Sequence, residues 1–399
     1  MSWPNASISE LCSRVTSGGT PRRSNSDYYV TEGIPWVKTQ ELNDNRLEDT
    51  SEHISQSAIE ESSAKLLPGG AILVAMYGAT AGKLGVLGRP MACNQACCAL
   101  IVNPSVADSR FLFYALLNSR EQLKGLANGA AQQNLSARVI KEFRISNPPV
   151  EAQRRIGNLL GALDDKIAVN ERIAATSLEL GVALYRQKST FAEWRSLPLG
   201  SAARWHSGGT PKTSIPEYWN GDIPWISAAS LKSPWIRDSD RSVTKLGARN
   251  GTRIAAPNSI LFVVRGMSLK NEFRVGIAQR EITFGQDCKA LVANPGIDST
   301  TLFLAVKSRA QEILQMVDLA GHGTGRLATD RLAALTVKLP PEGLATSKFA
   351  EVVHPLIDRA SRADLECKSL ADLRDTLLPQ LMSGRLRVKD AEKIAEDHT

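Results

Sequence analysis

The chain is written twice. "SGGTP" at residues 17–21 returns at 207–211, and its surroundings return with it. "YYVTEGIPWVKTQEL" (28–42) answers "YWNGDIPWISAASL" (218–231), and "LPGGAILVAMYGATAGKLGVL" (67–87) answers "AAPNSILFVVRGMSLKNEFRVGIA" (255–278). "NQACCALIVNP" (94–104) matches "GQDCKALVANP" (285–295), and "LFYALLNSR" (112–120) matches "LFLAVKSR" (302–309). "GAAQQNLSARVIKEFRISNPP" (129–149) closes the first copy as "GHGTGRLATDRLAALTVKLPP" (321–341) closes the second. The offset stays close to 190 throughout. So small a drift over so many blocks marks an internal duplication of one long unit.

Each copy has two parts. The first is punctuated by Gly, Pro, Asn and Asp, with short apolar runs: "AILVAMY", "ALIV" and "FRISNP", then "SILFVV", "KALVA" and "LTVKLP". Runs of four to seven residues between turn residues read as strands. "DSRFLFYALLNSREQLKGLA" (108–127) has helical periodicity and reads as one helix, so each globular part is mixed α/β.

The character changes after "NPP" and "LPP". A double proline suits the start of a helix. The segments beyond carry no Pro and little Gly for long stretches, and their apolar residues step by three and four. Ile156, Leu160, Leu163 and Ile167 form one seam; Phe349, Val353, Leu356, Leu370 and Leu377 form the other. Asn170 and Ser177 interrupt the first. A seam of this kind needs a partner helix, and the partner the chain itself supplies is the other copy. The expected architecture is two homologous α/β domains separated by two long antiparallel helices, a coiled-coil spacer with a pseudo-twofold, circular arrangement. The boundaries read as 1–148, 149–190, 191–340 and 341–387, with a charged, frayed tail at 388–399.

Composition narrows the function. The 399 residues are 43% hydrophobic and 22% charged, an ordinary globular balance, and the net charge of +7 leaves polyanions open as partners. No apolar run reaches bilayer length and "MSWPNASISEL" lacks a leader pattern, so the expectation is a cytoplasmic protein without membrane contact. The cysteines Cys12, Cys93, Cys97, Cys98, Cys288 and Cys367 have no zinc-finger spacing and read as reduced thiols.

Catalytic motifs are missing. "GATAGKL" (78–84) has three residues where a phosphate loop has four, and Leu84 where it has Ser or Thr; a glycine-rich hairpin with a basic tip is the better reading. "NPPV" (147–150) resembles the Asn-Pro-Pro-aromatic motif of adenine methyltransferases, but Val150 cannot stack on a flipped base. The histidines are scattered, and no nucleophile or metal constellation appears. The chain therefore reads as a binding protein rather than an enzyme.

"W…L…SGGTP…IPW", "LPGGAILVAMYGATAGKLGV", "NQACCALI", "QQNLS…ISNPPVEAQRRIGNLLGALDDKI" and the ending "LADLRDTLLPQLMSGRLRV" together resemble the specificity subunits of type I restriction–modification enzymes. The resemblance spans nearly the whole chain. It implies that each globular part is a target recognition domain reading one half of a bipartite, asymmetric site in double-stranded DNA. It implies that the long helices form the spacer and dock two methyltransferase subunits, with two restriction–translocase subunits completing the complex. S-adenosylmethionine, ATP and Mg would belong to those partners, and this chain would hold no cofactor or metal. The second copy departs at "GRLAT" for "QQNLS" and at "RGMSLKN" for "YGATAGK", as modules reading different sequences should. The competing readings are a coiled-coil adaptor with degenerate domains and a self-contained DNA methyltransferase.

Base edges are read by Arg and Lys at guanine and by Asn and Gln at adenine. Polar loop residues at matching places in the two copies are the candidates. In the first they are Arg22, Arg23, Lys38, Gln40, Tyr77, Lys83, Gln132, Gln133 and Asn134; in the second, Lys212, Ser227, Lys232, Arg265, Lys270, His322 and Arg326. Gly18, Gly19, Gly208 and Gly209 read as turn formers. Arg154, Arg155 and Arg172 lie on helix faces open to the methyltransferase subunits, while Leu377, Leu378, Leu381 and Gly384 are placed to dock back on the first module.

Overall fold

The computed structural model describes residues 3–126, 134–319, 324–341 and 347–397. Two units emerge: Met1–Ala168 with Lys368–Thr399, and Val169–Cys367.

The main sheet of the first unit has five strands: β1 (Cys12–Ser17), β2 (Asn45–Leu47), β3 (Ile72–Ala75), β4 (Leu84–Leu87) and β5 (Cys97–Val102). Their spatial order is β1-β5-β3-β4-β2, antiparallel except for the β4–β2 pair. Successive side chains of a strand face opposite ways. Ile72, Val74, Cys98 and Leu100 therefore join one core, and Leu73, Ala75, Cys97 and Ala99 the other. Both faces are covered, which is why these strands are apolar at every position. Helix α1 (Ser109–Asn118) packs on the first face, capped by Asp108, which accepts from the Phe111 amide at 2.9 Å. The single helix expected here breaks at Ser119 (φ −100°, ψ 11°), and a second short helix runs Arg120–Gly125. The break turns Arg120 toward the β3–β4 connection, where it donates to the Gly82 carbonyl at 3.0 Å. Helix α2 (Val150–Lys188) starts directly after Pro148-Pro149. Fully buried Gln153 locks that start: it donates to Asn147 Oδ1 at 2.8 Å and to the Pro148 carbonyl, and accepts from the Asp108 amide at 3.0 Å. The Asn-Pro-Pro lookalike is thus a helix entry.

The second unit repeats the plan. Its main sheet and an added ribbon use strands β6 (Ala203–Ser207), β7 (Trp235–Ile236), β8 (Ile260–Val263), β9 (Arg265–Gly266), β10 (Val275–Ala278), β11 (Cys288–Ala293), β12 (Val317–Leu319) and β13 (Gly325–Leu327). The main sheet runs β6-β11-β8-β10-β7, again with one parallel pair, β10–β7. A separate ribbon has the order β9-β13-β12. Helix α3 (Ser299–Ser308) is capped by Asp298, as α1 is by Asp108, and α4 (Lys348–Met382) comes after it in the chain.

In each unit the first strand pairs with the last. Asn5–Ser7 lies antiparallel to Arg144–Ser146, and Arg195–Pro198 to Thr336–Leu339. The "FRISNP" and "LTVKLP" runs are these closing strands.

Within each unit most of the seam residues are buried. Ile156, Leu160, Leu163, Leu370 and Leu377 are buried in the first core, which also takes in Leu378 and Leu381 and against which Ile167 packs half-buried. Asp164 on α2 accepts from Arg374 on α4 at 2.6 Å. In the second unit, Phe349 stacks edge-on against Tyr185, Ile357 lies against Gly181, and Val353 is fully buried: α4 runs antiparallel to α2 there. Leu356 is half-buried, and its neighbour Ile357 takes the core position, because here α4 must face α3 as well as α2. Gly384, just past the end of α4, has φ 70°, the left-handed stop.

The tail departs from the frayed segment expected. Val388–Glu396 forms helix α5, and Ala391 and Ala395, one turn apart, are buried in the first core. Small residues on one face let a highly charged helix lie close; Glu392 also pairs with Arg155 at 3.7 Å.

Candidate nucleic-acid interface

The duplicated pentapeptide is a clasp. The indole of Trp36 donates to the Gly19 carbonyl at 3.0 Å, and that of Trp225 to the Gly209 carbonyl at 3.0 Å. The Gly19 amide bonds the Cys93 carbonyl and the Gly209 amide bonds the Phe284 carbonyl, both at 2.9 Å. A Cβ on Gly18 would stand 2.2 Å from the Cys93 carbonyl oxygen, and one on Gly208 equally close to that of Phe284. "SGGTP" and "IPW" recur together because the glycines admit the backbone and the tryptophan pins it.

Beside each clasp an aromatic pair carries a guanidinium. In the first unit Arg23 lies 4.3 Å from the Tyr29 ring centroid and 5.1 Å from that of Trp36. In the second, Arg241 lies 3.8 Å from Trp219 and 5.1 Å from Trp225. The arginines come from different places in the repeat. The Trp36 amide bonds the Glu52 carbonyl and the Trp225 amide bonds the Arg241 carbonyl, so Arg241 occupies the place of Glu52. Glu52 instead pairs with Arg23 at 2.6 Å and Lys38 at 2.7 Å, and these bonds hold its carboxyl below the ordinary range. Of the candidates, Arg23 and Lys38 thus share one carboxylate. Arg22 and Gln40 are exposed nearby in sequence.

The β3–β4 connection is the second cluster. "YGATAGK" joins two antiparallel strands, with Gly78 (φ 69°) and Gly82 (φ 81°) in the turn, so no helix comes next to cradle a phosphate. Tyr77 is 45% exposed at its start. The Leu135 amide donates to the Met76 carbonyl at 2.8 Å and so brings exposed Asn134 to the same turn. Lys83 donates to Asn43 Oδ1 at 3.1 Å, and Arg120 pairs with Asp44 to hold the turn down. Neither Asp44 nor Arg120 was legible as part of this loop, since the two are far apart in sequence. Gln132 and Gln133 lie outside the described residues.

The second unit uses the same frame differently. The Leu327 amide donates to the Val264 carbonyl at 2.9 Å, the counterpart of the Leu135–Met76 bond. Tyr77 and Asn134 are thereby replaced by Arg265 and Arg326, direct partners on β9 and β13, both exposed. Lys270 is exposed on the adjoining turn, where Met267 is 64% exposed. His322 lies outside the described residues. Lys212 is exposed, its carbonyl accepting from the Trp219 indole at 3.2 Å. Ser227 bonds Ser230 and closes a local turn. Lys232 stands apart from these. It lines a cavity of about 680 Å³ with Glu171, Leu178, Trp235, Glu272 and Lys307, and burial lowers the Lys307 ammonium's pKa.

Among the described residues no cluster of three His, Cys, Asp or Glu side chains is placed to hold a metal, and no helix is long and apolar enough to cross a membrane.

The family model for the type I restriction modification DNA specificity domain matches twice, at residues 2–176 and 192–361. The MjaIX type I restriction enzyme specificity subunit of Methanocaldococcus jannaschii is 24% identical over 97% of this chain and 94% of its own length. The EcoR124I/EcoR124II specificity subunit of Escherichia coli is 20% identical over 37% of each chain. A crystal structure of a type I restriction–modification S subunit from M. genitalium has the same fold, with a TM-score of 0.61 at 20% identity, covering 95% of this chain and 96% of that one. Two matched domains, each with its own clasp and sheet, and together filling most of the sequence, place this chain in the type I restriction–modification DNA-specificity family.

Proposed function

We propose that the chain gives a type I restriction–modification complex its sequence specificity, each unit reading one half of a bipartite, asymmetric site in double-stranded DNA. The observation that carries this reading is one frame with two chemistries: Tyr77 and Asn134 in the first unit stand where Arg265 and Arg326 stand in the second. A shared scaffold with exchanged exposed side chains suits two different half-sites. Lys and Arg contacts to phosphates would supply affinity, and base-edge contacts the selectivity. In this proposal the long helices set the unread gap and dock two methyltransferase subunits, to which two restriction subunits are added. The chemistry, with S-adenosylmethionine, ATP and Mg²⁺, resides in those partners, and this chain takes no catalytic part. The exposed Arg154 and Arg172 on α2 suit such docking.

Co-expression with the cognate methyltransferase subunit, followed by mapping of methylated adenines, tests it. Two short half-sites around a fixed gap are expected. A continuous motif, or methylation by this chain alone, overturns it.

A further inference from the structure

We infer that the β9-β13-β12 ribbon of the second unit enters the major groove and that Arg265 and Arg326 act there as a pair reading guanine. This rests on the proposed DNA-recognition function and names the chemistry of one half-site.

The ribbon carries an unfavourable feature. Arg265 and Arg326 are register partners on antiparallel strands, so two guanidinium groups share one ladder position. Like charges directly opposite one another destabilise a strand pair. Both side chains are exposed. Asp318, the partner of Arg326 on its other side, is engaged with Arg331 at 3.4 Å. Among the described residues neither Arg265 nor Arg326 forms an ion pair. The stacked Arg23 of the first unit, by contrast, is neutralised by Glu52. With Asp318 shared between Arg326 and Arg331, the rung keeps a net positive charge, which an acceptor-rich ligand suits.

Shape and chemistry point to the groove floor. The major groove admits a two-stranded β-ribbon, as the β9–β13 edge of this ribbon presents, and a guanidinium bonds guanine O6 and N7 together. Adjacent strands lie about 4.8 Å apart, so the two side chains can address neighbouring base pairs. Met267, 64% exposed, follows β9 two residues after Arg265 and offers apolar surface suited to a thymine methyl. At the counterpart positions Tyr77 and Asn134 carry no charge. Asn134 is matched to adenine, so this guanine-reading pair has no counterpart at the same place in the first unit.

The test uses the complex with the methyltransferase subunit and fluorescence anisotropy on duplexes carrying the mapped site. Arg265→Ala and Arg326→Ala are each expected to weaken cognate binding about 10- to 100-fold and to flatten the guanine preference at one position of the second half-site. Preference in the first half-site should persist, which also reports that the variants fold. With wild-type protein, 7-deazaguanine at those positions should reproduce the loss, a readout no folding defect can mimic. Uniform weakening on all sequences, with intact guanine preference, would make these phosphate contacts and overturn the inference. So would tolerance of 7-deazaguanine, or a second half-site without guanine. A wild-type complex with no bipartite preference would instead sink the broader function.

Discussion

A methyl group at Gly208 would collide with the Phe284 carbonyl, and the Trp225 indole has its acceptor one residue further on. Gly208→Ala should therefore cost about 1–3 kcal/mol through forced displacement of a packed backbone, read as a lower thermal midpoint. Trp225→Phe should cost about 1 kcal/mol for the lost hydrogen bond. The cysteines make a second test. Burial pushes the Cys98 and Cys288 thiols up to about 12, and both are fully buried; partly exposed Cys367 is raised to about 11, again chiefly by burial. A raised pKa keeps the thiol protonated, so at pH 8 alkylation should be slow at all three and fastest at Cys367. Denaturant, which restores ordinary thiol values, should expose Cys98 and Cys288. Rapid native labelling of either would contradict the packing described. At this scale the sequence revealed the clasp, because glycine and tryptophan recur at fixed spacing. It hid the aromatic cages, because Arg23 and Arg241 reach equivalent rings from positions that do not align.

Among the elements, the long helices were legible from their three-and-four stepping, and the closing strands from short apolar runs before a double proline. Three features were not. The break at Ser119 brings Arg120 to the Gly82 carbonyl, a contact with a residue distant in sequence. Helix α5 looked too charged to order, yet Ala391, Ala395 and half-buried Val388 seat it. Leu356 lost its seam position to Ile357 because α4 faces more than one neighbour. Leu160→Ala should destabilise the first unit by about 2–5 kcal/mol, as expected for a fully buried leucine. Charges at Leu160 and Leu163 should abolish the helix pairing and DNA binding with it. Arg374→Ala removes the partner of Asp164, whose other oxygen accepts from Tyr114, and should cost about 1–3 kcal/mol. Urea unfolding checks both, and unchanged midpoints would mean the helix contacts contribute little.

For the whole molecule, duplication was visible in the sequence itself, while the pairing of Arg265 with Arg326 was not, because chemistry varies where the frame repeats. Inserting about one heptad into both α2 and α4 should lengthen the unread gap and leave both half-site sequences intact, as methylation mapping would show. Changed half-site identity would instead place recognition in the helices. The paired first and last strands carry a further consequence. Ala6 lies opposite Ile145, and Leu197 opposite Val337, so the chain enters and leaves each recognition fold through one doorway. A gene segment spanning either fold is thus a cassette with neighbouring ends. On the proposed function, recombination that exchanges it for another of the same plan would give a new target in a single event, with the remaining half and the long helices carried over unaltered.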